Sequence, residues 1–108
     1  MEAMIVAHIV LTEAVYYILL SLLTPMHGYG IMQNVEKMSK GRVRLAAGTL
    51  YGALNTLLEK GWIQALPGMD PRKKEYCITA LGRDVLETEY GRLCELVENG
   101  KEVGGVES

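Results

Sequence analysis

The stretch from Gly41 to Thr79 limits what this chain can fold into more than any other. It runs Ala47-Gly48-Thr49-Leu50-Tyr51-Gly52-Ala53-Leu54, then Leu57-Leu58-Glu59-Lys60-Gly61-Trp62-Ile63, then Pro71-Arg72-Lys73-Lys74-Glu75-Tyr76-Cys77-Ile78-Thr79. Ala47, Leu50, Tyr51, Leu54, Leu57 and Leu58 recur at helical spacing and share one face. Gly61 suits the position just beyond the helix, and Lys60 complements its dipole. The other face carries Gly48, Thr49, Gly52, Ala53, Asn55 and Thr56, all small or neutral. A helix meant for open water usually carries Lys and Glu there. A face kept small can approach another surface closely, and a DNA major groove about 12 Å wide admits one helix. Taken alone, the segment reads equally well as an ordinary packed helix.

The residues after the helix separate these readings. In a first strand Ile63 and Ala65 face one way, and Trp62, Gln64 and Leu66 the other. Pro67-Gly68-Met69-Asp70-Pro71 is dense in turn formers, so the chain reverses there. Tyr76 and Ile78 share the inner side of a return strand. Arg72, Lys73 and Lys74 lie at or just after the tip. Three cations on a hairpin are commonly a solvated turn. Directly after a helix of this kind they are placed to sit on phosphates.

At 108 residues the chain is one domain with a modest core. Apolar residues make up 49%, a surplus that a second subunit would cover. The net charge of −2 argues against a nucleic-acid binder, but its distribution argues for one. Residues 40–79 hold seven cations against three anions, while residues 80–108 hold three against seven. The positive charge coincides with the helix and hairpin, and the acidic end should point away from DNA.

No catalytic constellation is visible, no cofactor is expected, and the chain does not read as an enzyme. Cys77 and Cys94 form no CxxC and have no nearby His, so both read as packing residues in a reducing, cytoplasmic compartment with no metal site. Gly28-Tyr29-Gly30 is too short for a dinucleotide fingerprint and comes after no strand.

Upstream, Thr12 can cap a helix whose buried stripe is Val15, Ile18, Leu19, Leu22 and Leu23, with Pro25 ending it. The strongly apolar run is about half the ~20 residues a membrane span needs. The amino terminus also lacks the basic region of a secretory signal, so neither a secretory signal nor a membrane partner is expected. A second helix is predicted from His27-Gly28, carrying Ile31, Met32, Val35 and Met38 and closed by Gly41. Arg42-Val43-Arg44-Leu45 alternates like a short strand. The apolar run Met4–Val10 needs cover. After Thr79 one long helix is predicted to about Asn99-Gly100, with Leu81, Val85, Leu86, Tyr90, Leu93, Leu96 and Val97 as its stripe and glutamates opposite. Such a helix has little left to pack on within its own subunit. Leu81, Val85, Leu86, Leu93, Leu96 and Val97 are therefore expected in a homodimer seam, and residues from Lys101 on in a frayed tail. The expected architecture is mainly α with a small β-hairpin. Residues 1–79 form a winged helix-turn-helix, and residues 80–108 a dimerisation helix and polar tail.

These motifs together resemble the PadR family of transcriptional regulators. The residues that carry the resemblance are Leu19-Leu20 through Pro25-Met26-His27-Gly28-Tyr29-Gly30-Ile31, and Gly48-Thr49-Leu50-Tyr51 with Leu54, Leu57, Leu58 and Gly61. Lys74 with Tyr76, Ile78-Thr79 and Gly82 completes them, and roughly residues 12 to 90 are covered. The resemblance implies a winged-helix repressor, dimeric through its C-terminal helix, of the short subgroup in which some members bind flat apolar effectors at the dimer interface. It implies a phosphate contact for Tyr29, groove positions for Thr49 and Tyr51, and a backbone contact for Lys74. Asn55 and Thr56 stand where Lys or Arg is frequent, which shifts affinity toward Arg42, Arg44, Arg72, Lys73 and Lys74, while Asn55 has the chemistry to pair with adenine. The C-terminal helix has no Trp, so the aromatic slab of drug-binding relatives is in doubt. The expected partners are double-stranded DNA as an inverted repeat, a second copy of the chain, and a small apolar effector. The competing function is a winged-helix module that binds protein and not DNA.

Overall fold

The computed structural model describes residues 10–67, 70 and 73–105. Helix α1 (Glu13–Ser21) starts where Thr12 was expected to start it. The threonine hydroxyl accepts from the Val15 N–H at 3.1 Å, and Glu13 lies at the positive end of the helix. Ile18, Leu19 and Leu22 are fully buried. Leu23, expected in the same stripe, is exposed, because the helix closes at Ser21 and the chain leaves the helical phase before reaching it.

Strand β1 (Met26–His27) leads directly into α2 (Gly28–Met38), where Ile31 and Val35 are fully buried. The helix ends in a Schellman motif. The Gly41 N–H donates to Glu36 O at 2.8 Å and the Lys40 N–H to Lys37 O at 3.1 Å. Lys40 and Gly41 both take positive φ, 55° and 82°, so the lysine holds the left-handed position that usually falls to glycine. Met38, expected inside, stays at the surface because the chain turns away after it.

No strand forms over Arg42–Leu45. The buried Ser39 takes the place of a ladder partner. Its hydroxyl accepts from the Val43 N–H at 2.9 Å and lies 3.3 Å from Val43 O and 3.2 Å from Glu36 O. Val43 and Leu45 pack on the core as an irregular connection.

Helix α3 (Ala47–Glu59) buries Leu50, Leu54 and Leu57. It too closes in a Schellman motif, with Gly61 at φ 76° as predicted and the Trp62 N–H donating to Leu57 O. Strands β2 (Ile63–Leu66) and β3 (Glu75–Ile78) form the wing, paired Ile63 with Ile78 and Ala65 with Tyr76. Met26 pairs with Tyr76 from the other side, so the expected hairpin is a three-stranded antiparallel sheet in the order β1-β3-β2. Trp62 is buried in the core, the role expected of an aromatic residue at the end of α3, although it lies opposite Ile63 in strand alternation. It precedes β2, and its carbonyl accepts from the Thr79 N–H at 2.9 Å.

Thr79 also caps helix α4 (Ala80–Gly104), accepting from the Gly82 N–H at 3.1 Å and donating to Gly61 O at 2.6 Å. Gly82 is where α4 meets the core most closely. A Cβ added there would lie 2.1 Å from the Trp62 carbonyl oxygen and 2.7 Å from Ile78. The helix runs past the expected end at Asn99-Gly100 and stops at Gly105, whose φ of 67° is the left-handed cap.

Three features of α4 differ from the expectation. Val85 and Leu86, placed in a dimer seam from the sequence, are buried against their own subunit's core. The stripe therefore does have a partner within its own chain. Glu89, expected outside with the other glutamates, is 1% exposed. Finally, Lys101–Gly104 is helix and not a frayed tail.

Candidate nucleic-acid interface

The outer face of α3 is uncommitted. Gly48, Thr49, Gly52, Asn55 and Thr56 are exposed, and a Cβ built on Gly48 or Gly52 would meet nothing within 4 Å. Glycine inside a helix costs roughly 0.5–1 kcal/mol relative to alanine. Nothing in the described fold requires either one, so neither serves packing. Thr56 donates to Gly52 O at 3.2 Å within its own helix, whereas Thr49 and Asn55 make no side-chain hydrogen bond among the described residues. Ala46 gives α3 no side-chain cap, and no acid lies in the first turn, so the amide dipoles at this end are unopposed.

The start of α2 has the same character. His27 makes no capping hydrogen bond, and no acid lies in the first turn after it. Tyr29 projects into solvent at 63% exposure. Tyr51 is 46% exposed despite its place on the apolar stripe. Its phenol covers the first turn of α2 so closely that a Cβ on Gly28 would lie 2.4 Å from the hydroxyl oxygen. Gly28 is thus the residue that lets α3 and the start of α2 meet. Burial, with the nearby Tyr51, raises the pKa of the Tyr76 phenol behind them.

The cations divide into two groups. Arg42 forms an ion pair with Glu13 of α1, and its guanidinium holds the Glu13 carboxyl below the ordinary carboxylate range. Arg44 lies 3.6 Å from Glu36 of α2. Both pairs are largely solvated and worth little to stability. On the wing, Lys73 and Lys74 are exposed, with the Lys74 ammonium 5.8 Å from the Tyr76 ring centroid. Arg72 and the run Met4–Ile9 lie outside the described residues. The structure thus sets Tyr51 against the first turn of α2, the turn that carries Tyr29. It ties Arg44 to the groove formed by Tyr29, Met32, Gln33, Glu36, Lys37 and Leu45, and turns Arg42 toward α1. Lys37, on the rim of that groove, escaped the sequence reading because it falls on the polar side of an amphipathic helix, where lysine is ordinary.

Among the described residues no group of His, Cys, Asp or Glu is arranged to hold a metal ion, and no helix is long and apolar enough to cross a membrane.

Three helices around a short sheet, with a hairpin wing beside an open-faced third helix and a long fourth helix, define a winged-helix fold. The sequence pattern of the transcriptional regulator PadR-like family matches residues 18–88, and the chain belongs to that family. A transcriptional regulator from Clostridium thermocellum is 26% identical, with a TM-score of 0.64 over 84% of this chain and 89% of its own. PadR of Bacillus subtilis, solved in complex with operator DNA, shares the fold at 24% identity and a TM-score of 0.54, over 68% of this chain and 44% of that one. An uncharacterised 37.1 kDa protein of transposon TN4556 from Streptomyces fradiae is 38% identical over 72 residues, which are 67% of this chain. The chain spans only 20% of that relative's length.

Proposed function

We propose that the chain binds double-stranded DNA as a homodimer and represses transcription at an inverted-repeat operator, with release by a small apolar molecule. The observation that carries this reading is the outer face of α3, where exposed Thr49 and Asn55 stand beside two glycines with open space over them. Such a face suits close approach to base edges. Tyr29, the unopposed helix starts, Arg44 and the wing lysines would position it on phosphates. The operator complex of the B. subtilis relative, with the same fold, supports the reading.

Residues 1–79 would be the reading head, and residues 80–108 the dimerisation arm. Leu81, Leu96 and Val97 are exposed and Leu93 is partly so, while Tyr90 adds a further exposed ring. A partner helix on this surface would set two copies of α3 about 34 Å apart, one turn of DNA. A hollow of ≈ 320 Å³ between Tyr16, Tyr90, Leu93, Cys94, Val97 and Glu98 has the size and lining for a small apolar effector.

The test is a gel shift against the DNA upstream of the chain's own gene, repeated over a range of salt. Replacing Arg72, Lys73 and Lys74 together by Ala should weaken binding to all sequences and flatten the salt slope by up to about three units. An unchanged slope would remove the wing from the interface. The competing reading, a module that binds protein, draws on the pairing of Arg42 and Arg44 with Glu13 and Glu36. It would be favoured by a protein that shifts no duplex at low salt.

A further inference from the structure

Glu89 is the only charged side chain buried among the described residues, and the DNA-facing surface gives it nothing to do. Its two carboxylate oxygens are fully engaged. One accepts from Arg92 Nε at 2.6 Å. The other accepts from Arg92 Nη2 at 2.8 Å and from the Leu11 backbone N–H at 2.9 Å. Leu11 immediately precedes the cap of α1, so the carboxylate joins the start of the helix that carries Ile18 and Leu19 to a point midway along α4. On the amino-terminal side of this joint α4 is held by Gly82, Val85 and Leu86. Beyond it the helix emerges, with Tyr90, Leu96 and Val97 exposed and Tyr16 of α1 lining a hollow with it.

An apolar residue at this position would satisfy the periodicity of the stripe and would also tolerate sliding. A buried carboxylate does not tolerate it. Its bidentate guanidinium bonds are directional, and displacing it would leave a desolvated charge without a donor. Buried ionic groups are poor sources of net stability, and their best-attested use is to fix register.

We infer that Glu89 is a positioning residue that fixes the register and angle of α4 against α1, and thereby sets which half-site spacing the dimer accepts. The inference rests on the proposed homodimer and its inverted repeat. The arm beyond Glu89 would be a lever. A small rotation at the joint moves the far end of the helix, the dimer seam and the second reading head together.

The experiment uses the full chain, with Glu89→Gln as the near-isosteric variant and Glu89→Leu as an apolar one in case the amide does not fold. Duplexes selected from a random pool by the wild type are remade with the half-sites moved one or two base pairs closer or farther apart, and single half-site duplexes serve as reference. The wild type should lose about tenfold or more in affinity when the spacing is changed, and the variants only a few-fold, with half-site affinity unchanged. A spacing profile identical to the wild type overturns the inference. So does an equal loss on half-site and full site, which would mean general damage to the head. A DNA-independent measurement separates this from the function itself. Spin labels at Lys37 and Glu102, in chains with both cysteines replaced by Ser and diluted with unlabelled partner, report the angle between head and arm. The variants should broaden that distance distribution. An unchanged width overturns the joint whether or not DNA is bound, whereas a wild type that binds no duplex overturns the proposed function and leaves the joint to be judged by the distances.

Discussion

Helices α3 and α4 look alike as patterns, since each repeats apolar residues at helical spacing, yet the fold treats them in opposite ways. In α3 the leucines of the apolar face, Leu50, Leu54 and Leu57, go to the core along its length, and the small outer face has no role inside the described fold. In α4 the same kind of stripe is divided along its length. Val85 and Leu86 complete the subunit's own core, the buried Glu89 ends that contact, and Leu96 and Val97 lie open. Periodicity says which side of a helix is apolar. It does not say what covers that side, because cover depends on how far the helix extends beyond the body it packs on.

The sharpest way to break the comparison is to empty a residue on each stripe. Leu54→Ala on α3 removes a fully buried side chain and should destabilise the chain by about 2–5 kcal/mol in denaturant titrations. Leu96→Ala, half-exposed on α4, should change the subunit's own stability by less than about 0.5 kcal/mol and show its effect only in the concentration dependence of unfolding. Comparable losses at low protein concentration would mean that the arm packs on its own head.

The next effect tests where the division begins. Gly82→Ala places a methyl group against the Trp62 carbonyl, which is backbone and cannot rotate away. It should therefore cost about 1–3 kcal/mol and lower the melting temperature. A neutral result would show that α4 can lift from the core without penalty.

A third effect appears in acid. The Arg92 guanidinium, helped by the Leu11 N–H and opposed by burial, holds the pKa of Glu89 below its ordinary 4.5. A carboxylate with a depressed folded-state pKa contributes stability that is complete above the unfolded value and is lost as pH falls through the folded one. The wild type should therefore lose stability below about pH 4.5 along a slope that Glu89→Gln lacks in part. Parallel pH profiles for the two proteins would exclude a charged Glu89.

The smallest effect separates the two outer faces. Gly52→Ala should stabilise the chain by about 0.5–1 kcal/mol, since the site is open and alanine is the better helix former. The same variant should bind operator DNA less well, because the methyl group would enter the space reserved for close approach. A variant that is more stable and binds as well as the wild type would leave the glycine without a role at the interface.

Much of the fold could be read before any coordinates. Thr12 and Thr79 announced two helix starts and Gly61 a helix end, because caps are local chemistry that needs only neighbours in sequence. The hairpin register agreed with alternation, with Ile63 against Ile78 and Ala65 against Tyr76. Arg42–Leu45 misled for the complementary reason. Its alternation is genuine, but a strand needs a partner edge, and a buried serine hydroxyl met the need for hydrogen bonds instead. Of the candidate interface, the small outer face of α3 could be read from spacing and is exposed in the fold, while Tyr29 was singled out only through the family resemblance. The pairing of Arg42 with Glu13, 29 positions apart, was not legible.

The order of residues was enough for the four helices, the wing hairpin, the threonine caps, most of each helix's buried stripe and the family to which the chain belongs, because each depends on spacing or on residue types at fixed offsets. It took the packed molecule to bring Met26–His27 into the sheet, assign Val85 and Leu86 to the head, and bury Glu89 with Leu11 and Arg92. Each of these depends on which surfaces come together across long stretches of chain. A carboxylate in a helical stripe reads as exposed until a backbone N–H from 78 residues away is found bonded to it.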